Sequence, residues 1–285
     1  MKKILFILFF FSIPSFLMAQ WNEVGVLLGA SNYKGELSAT MFNTYFIHPA
    51  GGAFYRHNFN RRWSYRFMAN YGTISGSDSK SKFAYERNRN LSFQSYIIDV
   101  SGFLEFNFFP YETSAKDKNL QWTPYLFTGL SVFRFNPTAE YNGSTVSLRD
   151  LGTEGENLPG GPGEYSLISY ALPIGGGIKV SLGRVGIALE LCARRTYTDY
   201  LDDVSTTYPD KKLLLQYGGP LAVALSDRSL PSPSPKDSLN IIYPGKQRGS
   251  PENNDWYIFG GITIFIRLGG HFQDPCKQNF IRKKY

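Results

Sequence analysis

The chain is 285 residues long, with a formal net charge of +7, 16% aromatic residues and 28 glycines. These aromatic and glycine contents are high beside average usage, which favours membrane strands with aromatic girdles. After the first twenty positions no stretch of about 18 apolar residues occurs, so a helical membrane protein is excluded.

The first 19 residues have the pattern of a secretory signal peptide. Lys2 and Lys3 form a basic start, Ile4 to Phe11 is an apolar run too short to span a bilayer, and cleavage is expected after Ala19. No cysteine follows the cleavage site, so a lipoprotein is not expected. The positive charge does not indicate nucleic acid, because an exported chain rarely meets any.

The remaining residues alternate between apolar and small or polar side chains with a period of two. From Ser92 to Phe108, residues such as Ile98, Val100 and Leu104 form one face, while Asp99 and Glu105 fall on the other. Periodicity alone does not separate a soluble sandwich from a membrane barrel. The length of the run does separate them and favours the barrel, because a strand in a soluble protein usually has five or six residues and this run has about seventeen.

Eight such runs are predicted, and short and long connections alternate between them. Asn60-Arg61 and Gly183-Arg184 form tight turns, and "YETSAKDKNLQW" forms a third connection on the same side. The other connections are longer, as are the outer loops of outer-membrane barrels. The runs are 21–32, 48–59, 62–75, 92–109, 122–136, 165–182, 184–199 and 254–268, and the long connections are 33–47, 76–91, 137–164 and 200–253.

The fold predicted is therefore all-β: an eight-stranded antiparallel up-and-down transmembrane β-barrel with long extracellular loops. Residues 20–268 form the barrel, and residues 269–285 form a short periplasmic C-terminal tail. The even strand count puts both termini in the periplasm of an outer-membrane protein. Eight strands leave no open channel, so inward charges are expected to pair in the lumen. Those charges are Asp99, Glu105, Lys179, Glu190 and Arg194.

The last loop contains a group of aspartates with two interpretations. Asp199, Asp202 and Asp203 could bind a hard cation such as calcium, although their spacing matches no known ligand loop. Alternatively, they cap a turn that Tyr200 and Leu201 hold in place. His48 could join Asp202 and Asp203 in a protease-like site, but a structural histidine is the simpler interpretation.

No motif for catalysis or for a cofactor stands out. The sequence lacks G-x-S-x-G, a nucleotide loop, H-E-x-x-H and Cys/His zinc spacing. We therefore expect a protein that is not an enzyme and that has no cofactor and no metal.

Three segments carry a family resemblance: "VGVLLGASNYKGELS" from Val24, "TDYLDDVSTTY" from Thr198 and "RGSPENNDWYIFGGITIFI" from Arg248. Together they resemble the PorG-like outer-membrane proteins of type IX secretion in Bacteroidota. The resemblance implies a non-enzymatic component of the secretion and gliding machinery. Such a barrel would anchor a periplasmic ring, built from a lipoprotein and its partner, to the outer membrane. The alternative is a surface barrel acting through its outer loops, as an adhesin or beside another outer-membrane protein.

The tail is the candidate partner-binding segment, with Cys276, Lys277, Arg282, Lys283 and Lys284 as its site residues. An intermolecular disulfide through Cys276 to a periplasmic partner is the preferred hypothesis, because an unpaired exposed thiol is unusual in an oxidising compartment. A bridge to Cys192 and an incidental thiol remain open. Cys192 itself is expected to face the lumen as a small buried side chain.

Overall fold

The computed structural model describes residues 20–113, 120–231 and 242–268, and these residues form one closed antiparallel β-barrel. Long strands make up its wall, joined by loops that contain two helices, α1 (Ala84–Arg89) and α2 (Lys211–Ser226). The strands are β1 (Trp21–Lys34), β2 (His48–Asn58), β3 (Trp63–Ser77), β4 (Ser92–Asn107), β5 (Gln121–Tyr141), β6 (Ser144–Ser147), β7 (Ile168–Leu182), β8 (Val185–Thr196) and β9 (Trp256–Leu268).

Eight of these strands close the wall, which confirms the predicted fold class. Strand β1 pairs with both β2 and β9, and β4 pairs with β5, so every long strand has two antiparallel neighbours. The one additional strand among the described residues, β6, was not predicted. It extends β5 outward as a hairpin around Asn142 and Gly143, whose positive φ angles of 51° and 78° suit a type I′ turn.

Short connections join the strands at both predicted tight turns: residues 59–62 between β2 and β3, one residue longer at each end than predicted, and Gly183-Arg184 between β7 and β8. Asn60 accepts hydrogen bonds on its side-chain oxygen from the backbone N–H groups of Arg62 and Trp63, at 2.8 and 2.9 Å. The β7–β8 connection is the two-residue Gly183-Arg184 loop, with Gly183 at a φ of 70°. A glycine at the first central position tolerates this angle without the clash that a Cβ would make. The first residues of β1 lie at the same end of the barrel as these turns, beside the end of β9.

The outer face of the wall is apolar, as the alternation predicts. Ile98, Val100 and Leu104 point outward, while the neighbouring residues Asp99 and Glu105 are fully buried. The same pattern continues around the barrel on β7, β8 and β9, where outward side chains include Ile178, Leu189, Leu191, Ile262, Ile264 and Ile266. Aromatic pairs lie near the short turns, including Trp63–Phe106 and Phe109–Trp122. A continuous apolar belt with aromatic edges is the surface that a bilayer requires.

The lumen near the short turns is filled by a balanced network of charges centred on Glu105. Its carboxylate lies 2.9 Å from Arg56 Nε, 2.7 Å from Arg66 Nε and 3.3 Å from Lys179 Nζ. Glu23 lies 2.9 Å from Arg56, and Glu190 lies 2.8 Å from Arg66. Three carboxylates thus neutralise three cations in a space without room for bulk water. This pairing makes the buried charges tolerable.

A second network lies closer to the loop end, around Asp99. Arg194 pairs with its carboxylate at 3.3 Å, and the Tyr257 hydroxyl donates to it at 2.8 Å. Cys192 is buried beside this network, which confirms its predicted place in the lumen. The predicted pairing of inward charges is therefore confirmed, although Glu23, Arg56 and Arg66 were not among the charges first expected there.

We predict that Glu105→Gln lowers the free energy of unfolding by about 3–5 kcal/mol, the range for breaking a buried charge pair from one side. The neutral amide would leave Arg56, Arg66 and Lys179 with less negative charge than they need. Urea unfolding of the refolded protein in detergent measures the change. The control is Glu140→Gln at an exposed position, which should stay within about 0.5 kcal/mol of wild type. A loss for Glu105→Gln below about 1 kcal/mol would contradict the prediction.

Candidate functional site: a cap of loops over one end of the barrel

The long loops fold together into a cap at the end of the barrel opposite the short turns. Arg248, from the loop between β8 and β9, is buried at its centre. Its Nη1 lies 2.9 Å from Glu154 Oε1, in the loop between β6 and β7, and also donates to the carbonyl oxygen of Asp203. One guanidinium thus joins two loops that are far apart in the sequence.

The acids around Arg248 complete this connection. Glu154 accepts hydrogen bonds from the backbone N–H groups of Ser205 and Thr206, at 2.9 and 2.7 Å. Asp203 accepts from Thr153 Oγ1 at 2.5 Å and from the Tyr165 hydroxyl at 2.7 Å. Every oxygen of these two carboxylates therefore has a donor, as buried acids require.

Arg89, at the end of α1, connects the loop between β3 and β4 to the same cap. It makes a two-pronged contact with Asp78, with both N···O distances at 2.8 Å. The guanidinium also donates to the carbonyl oxygen of Arg248 at 2.5 Å and to that of Glu36 at 3.5 Å. The cap is consequently one hydrogen-bonded body built from all four long loops.

Helix α2 lies in the last long loop and was not predicted from the sequence. Asp210 caps its start by accepting from the N–H groups of Lys212 and Leu213. The helix is kinked at Gly219, before Pro220, and Ser226 at its end donates to the carbonyl oxygen of Thr153 at 2.5 Å. The helix is thus tied to the loop between β6 and β7.

A group of carboxylates lies beside Arg89, where β1, β8 and β9 enter the cap. One oxygen each from Glu36, Asp199 and Asp255 lie within 4.8 Å of one another. Asp202 is next to them, because the Tyr33 hydroxyl donates to Asp202 Oδ2 at 2.6 Å and contacts Asp255 Oδ1 at 3.0 Å. We call these four residues the acidic cluster.

Burial raises the pKa of each carboxyl in the acidic cluster, and the neighbouring negative charges raise it further. The pKa of Glu36 is raised to about 8 by burial and by Asp199, and that of Asp199 to about 8 by burial and by Asp202. The pKa values of Asp202 and Asp255 lie well above their usual range for the same two reasons.

The three aspartates singled out in the sequence separate in the structure. Asp199 and Asp202 belong to the acidic cluster, whereas Asp203 turns to Arg248. Asp202 also caps the turn, accepting from the Val204 N–H at 3.0 Å. His48 is hydrogen-bonded to Ser75 Oγ at 2.6 Å, and the partners of Asp202 and Asp203 are other groups, so no protease-like arrangement forms among these residues.

Several cap residues were missed in the sequence. Glu36, Asp255 and Arg248 lie in the segments that carry the family resemblance, but nothing in their spacing shows that they meet. The predicted partner-binding residues Cys276, Lys277, Arg282, Lys283 and Lys284 lie outside the described residues, as does the predicted signal peptide. Among the helices that the structure describes, none combines the length and hydropathy needed to cross a membrane.

We predict that Arg248→Gln loosens the cap and leaves the barrel wall intact. Glu154 would lose its buried ion pair, which typically costs about 3–5 kcal/mol. Hydrogen exchange should therefore quicken in residues 153–156 and 199–206 but not in β4 or β8. The control is Arg149→Gln, because Arg149 pairs with Glu164 at 2.6 Å on the surface, where a pair contributes about 0–1 kcal/mol. Equal exchange in both variants would contradict this role for Arg248.

The chain has distant similarity to solved bacterial barrels. It is 10% identical to Neisserial surface protein A, with a TM-score of 0.38 over 87% of this chain and 97% of that one. Its identity to OprG of Pseudomonas aeruginosa is 9%, with a TM-score of 0.37 over 87% and 98%. Ail of Yersinia pestis, in complex with the heparin analogue sucrose octasulfate, has 9% identity and a TM-score of 0.35 over 88% and 100%.

These similarities are too distant to carry an inference about function. No curated protein matches the sequence at a significant level. The profile of one protein family does match, over residues 2–221, which is well over half of the chain. The protein therefore belongs to the family described as a domain of unknown function, DUF6089.

Proposed function

We propose that the protein is a non-enzymatic barrel of the outer membrane that anchors a periplasmic ring assembly of the type IX secretion machinery. The observation that carries this proposal is the filled lumen inside an apolar belt. Glu105 and its three cations occupy the space that a solute would need, and all four groups are fully buried. A barrel that cannot conduct acts through its two ends or through its membrane face.

The short-turn end is the better candidate for an anchoring surface. In outer-membrane barrels the short turns face the periplasm. Leu268, the last described residue, pairs with Asn22 at this end, so the chain beyond it continues from there. Nearby, Glu112 lies 3.0 Å from Arg61 and 3.1 Å from Arg267, so ion pairs hold the turn segment against the wall. The partner would be a ring protein, bound through the tail and by a disulfide to Cys276.

The assignment to type IX secretion rests on the resemblance of three sequence segments to PorG-like proteins. Those segments are 24–38, 198–208 and 248–266, and they meet in the cap around the acidic cluster. This meeting supports treating the three segments as parts of one structural unit. It does not bear on which partner lies in the periplasm.

A second candidate function is a surface barrel that acts through its cap, as an adhesin or beside another outer-membrane protein. One observation favours it. Phe42, Tyr45 and Phe83 are 59%, 70% and 63% exposed on the loops after β1 and β3, away from the apolar belt. Large exposed apolar groups outside a bilayer often mark a binding surface.

A charged residue placed in the apolar belt tests whether the barrel inserts into a membrane. Leu189, 65% exposed near the middle of β8, should face lipid, so Leu189→Arg should destabilise the barrel in bilayers by about 2–4 kcal/mol. Folding titrations into phospholipid vesicles measure this. The matched control is Leu215→Arg on α2, where a leucine of similar exposure lies in the cap. Equal effects of the two substitutions would contradict a lipid-facing Leu189.

The anchoring role is tested by the tail. Affinity purification from crosslinked envelopes should recover ring proteins with the full chain and lose them when residues 271–285 are deleted. Cys276→Ser should also remove a heavier species from non-reducing gels, because it removes the thiol proposed to bridge the partner. Cys192→Ser is the control and should leave that species unchanged, since Cys192 is buried in the barrel.

Two results would overturn the anchoring proposal. One is a wild-type protein that runs only as a monomer and recovers no ring protein. The other is a complex that survives deletion of the tail but is lost when loop 200–253 is trimmed. The second result would support the surface function instead.

A further inference from the structure

We propose that Glu36, Asp199 and Asp255, with Asp202 beside them, form a binding site for calcium at the base of the cap. The site joins the loop after β1 to both ends of the loop between β8 and β9. It is independent of the proposed anchoring role, and it differs from the sequence-based expectation that the protein has no metal.

The geometry suits a calcium ion. Calcium binds oxygen ligands at about 2.3–2.6 Å, so two ligands on opposite sides of it lie at most about 5 Å apart. One oxygen from each of Glu36, Asp199 and Asp255 falls within 4.8 Å of the others. A cation between them would therefore contact all three carboxylates with little rearrangement of the loops.

The hydrogen bonds give an independent reason to place a cation here. Asp199 is only 6% exposed, yet neither of its carboxylate oxygens accepts a hydrogen bond from the described residues. The Ser205 side chain lies close enough to lower the pKa of Asp199, but the two side chains do not reach the distance and angle of a hydrogen bond. Glu36 Oε2 is likewise buried without a donor, while Glu36 Oε1 accepts from the Ser250 N–H at 3.3 Å. Buried carboxylate oxygens without donors are rare in folded proteins unless an ion satisfies them.

Asp202 and Asp255 are oriented by other groups. Tyr33 contacts both of them, and Asp255 Oδ2 accepts from the Leu201 N–H at 3.0 Å. The backbone at Gly35 passes so close that a Cβ there would overlap the Asp255 carboxylate and the Tyr33 hydroxyl. These contacts hold the cluster in place, with one Asp199 oxygen within 4.8 Å of the carboxylates of Glu36 and Asp255.

At the acidic cluster, the carboxylates of the cap are not matched by nearby positive charges. Arg248 is paired with Glu154 and Asp203, and Arg89 is paired with Asp78. Within residues 20–113, 120–231 and 242–268, none of the four acids in the cluster has an ion pair within 4.0 Å. Arg89 offsets part of the negative charge at Glu36 and Asp202 from a greater distance. A divalent cation would supply the positive charge that the cluster lacks.

The chemistry of the ligands selects among cations. The cluster contains only carboxylates, which suit hard cations and disfavour copper, and without histidine or cysteine it is a poor zinc site. Magnesium demands near-ideal octahedral geometry and usually keeps several of its waters, so a cluster of three or four carboxylates does not suit it. Calcium, with its flexible coordination by carboxylates, is therefore the best occupant.

An entry path exists on one side of the cluster. Glu36 lines a surface cavity of about 460 Å³, open to solvent, that it shares with residues of three loops and three strand ends. Its charged lining residues besides Glu36 are Lys34, Glu86, Arg195 and Glu252. An ion arriving from outside the cell would meet Glu36 first and the buried Asp199 behind it.

The test uses the purified full-length protein refolded in detergent, stripped with EGTA and titrated with calcium chloride in a calorimeter. We expect one calcium per chain. Asp199→Asn keeps the shape of the side chain but removes its charge, so it should weaken the affinity by roughly tenfold or more, as expected when a charged ligand is lost. Calcium should also slow proteolysis of segments 35–43 and 197–208 in the wild type but not in the variant.

Asp203→Asn is the matched control, because Asp203 lies in the same turn and is equally buried but pairs with Arg248. It should retain calcium binding within about threefold of wild type. The proposal is overturned if the wild type binds no calcium up to millimolar concentrations, or if Asp199→Asn binds as tightly as wild type. Binding of magnesium in preference to calcium would overturn the choice of ion. The stripped wild type, compared with and without calcium, keeps the test valid even if Asp199→Asn folds poorly.

Discussion

The narrow lumen of an eight-stranded barrel is the constraint on which the rest of this structure depends. Side chains that point inward have no bulk water, so each charge needs an opposite charge within contact distance. Glu105 meets this need for three cations at once, and Asp99 does so for Arg194. The result is a solid interior. Because the charged side chains pair inside the barrel, the outer face can be apolar. A solid interior leaves the two ends and the membrane face as the surfaces through which the protein can act.

The same constraint extends into the cap and explains how its loops are arranged. Arg248 pairs with acids from two loops, whereas Arg89 pairs with Asp78 of its own loop and donates to carbonyl oxygens of two others. Removing either arginine would leave a buried carboxylate without its ion pair. At the acidic cluster the arginines no longer suffice, and the Asp199 carboxylate accepts no hydrogen bond from the described part of the chain. A cation from solution is the simplest way to complete the charge balance there. The cap would then be held by two arginines and one ion, with the ion as the part that responds to the environment.

The sequence was a good guide to the wall and a poor guide to the cap. Alternation placed Asp99 and Glu105 inside and Ile98 and Leu104 outside, because a strand in a closed barrel has only two faces. It did not show α2 or the β6 hairpin, although Asn142-Gly143 is a recognisable turn signal. It also did not separate Asp202 from Asp203, which are adjacent in the chain yet bind different loops. Contacts such as Tyr33 to Asp255, which are 222 positions apart, depend on the closed fold and cannot be deduced from local spacing.

We propose that this barrel is a closed body that acts through its ends or its membrane face and not through its lumen. Conductance across a planar lipid bilayer containing the full-length protein tests this most directly. The packed charges around Glu105 predict a flat current at either polarity, with or without calcium. Stable, repeated current steps of the size of an open pore would contradict the claim, because they would require the lumen network to move aside.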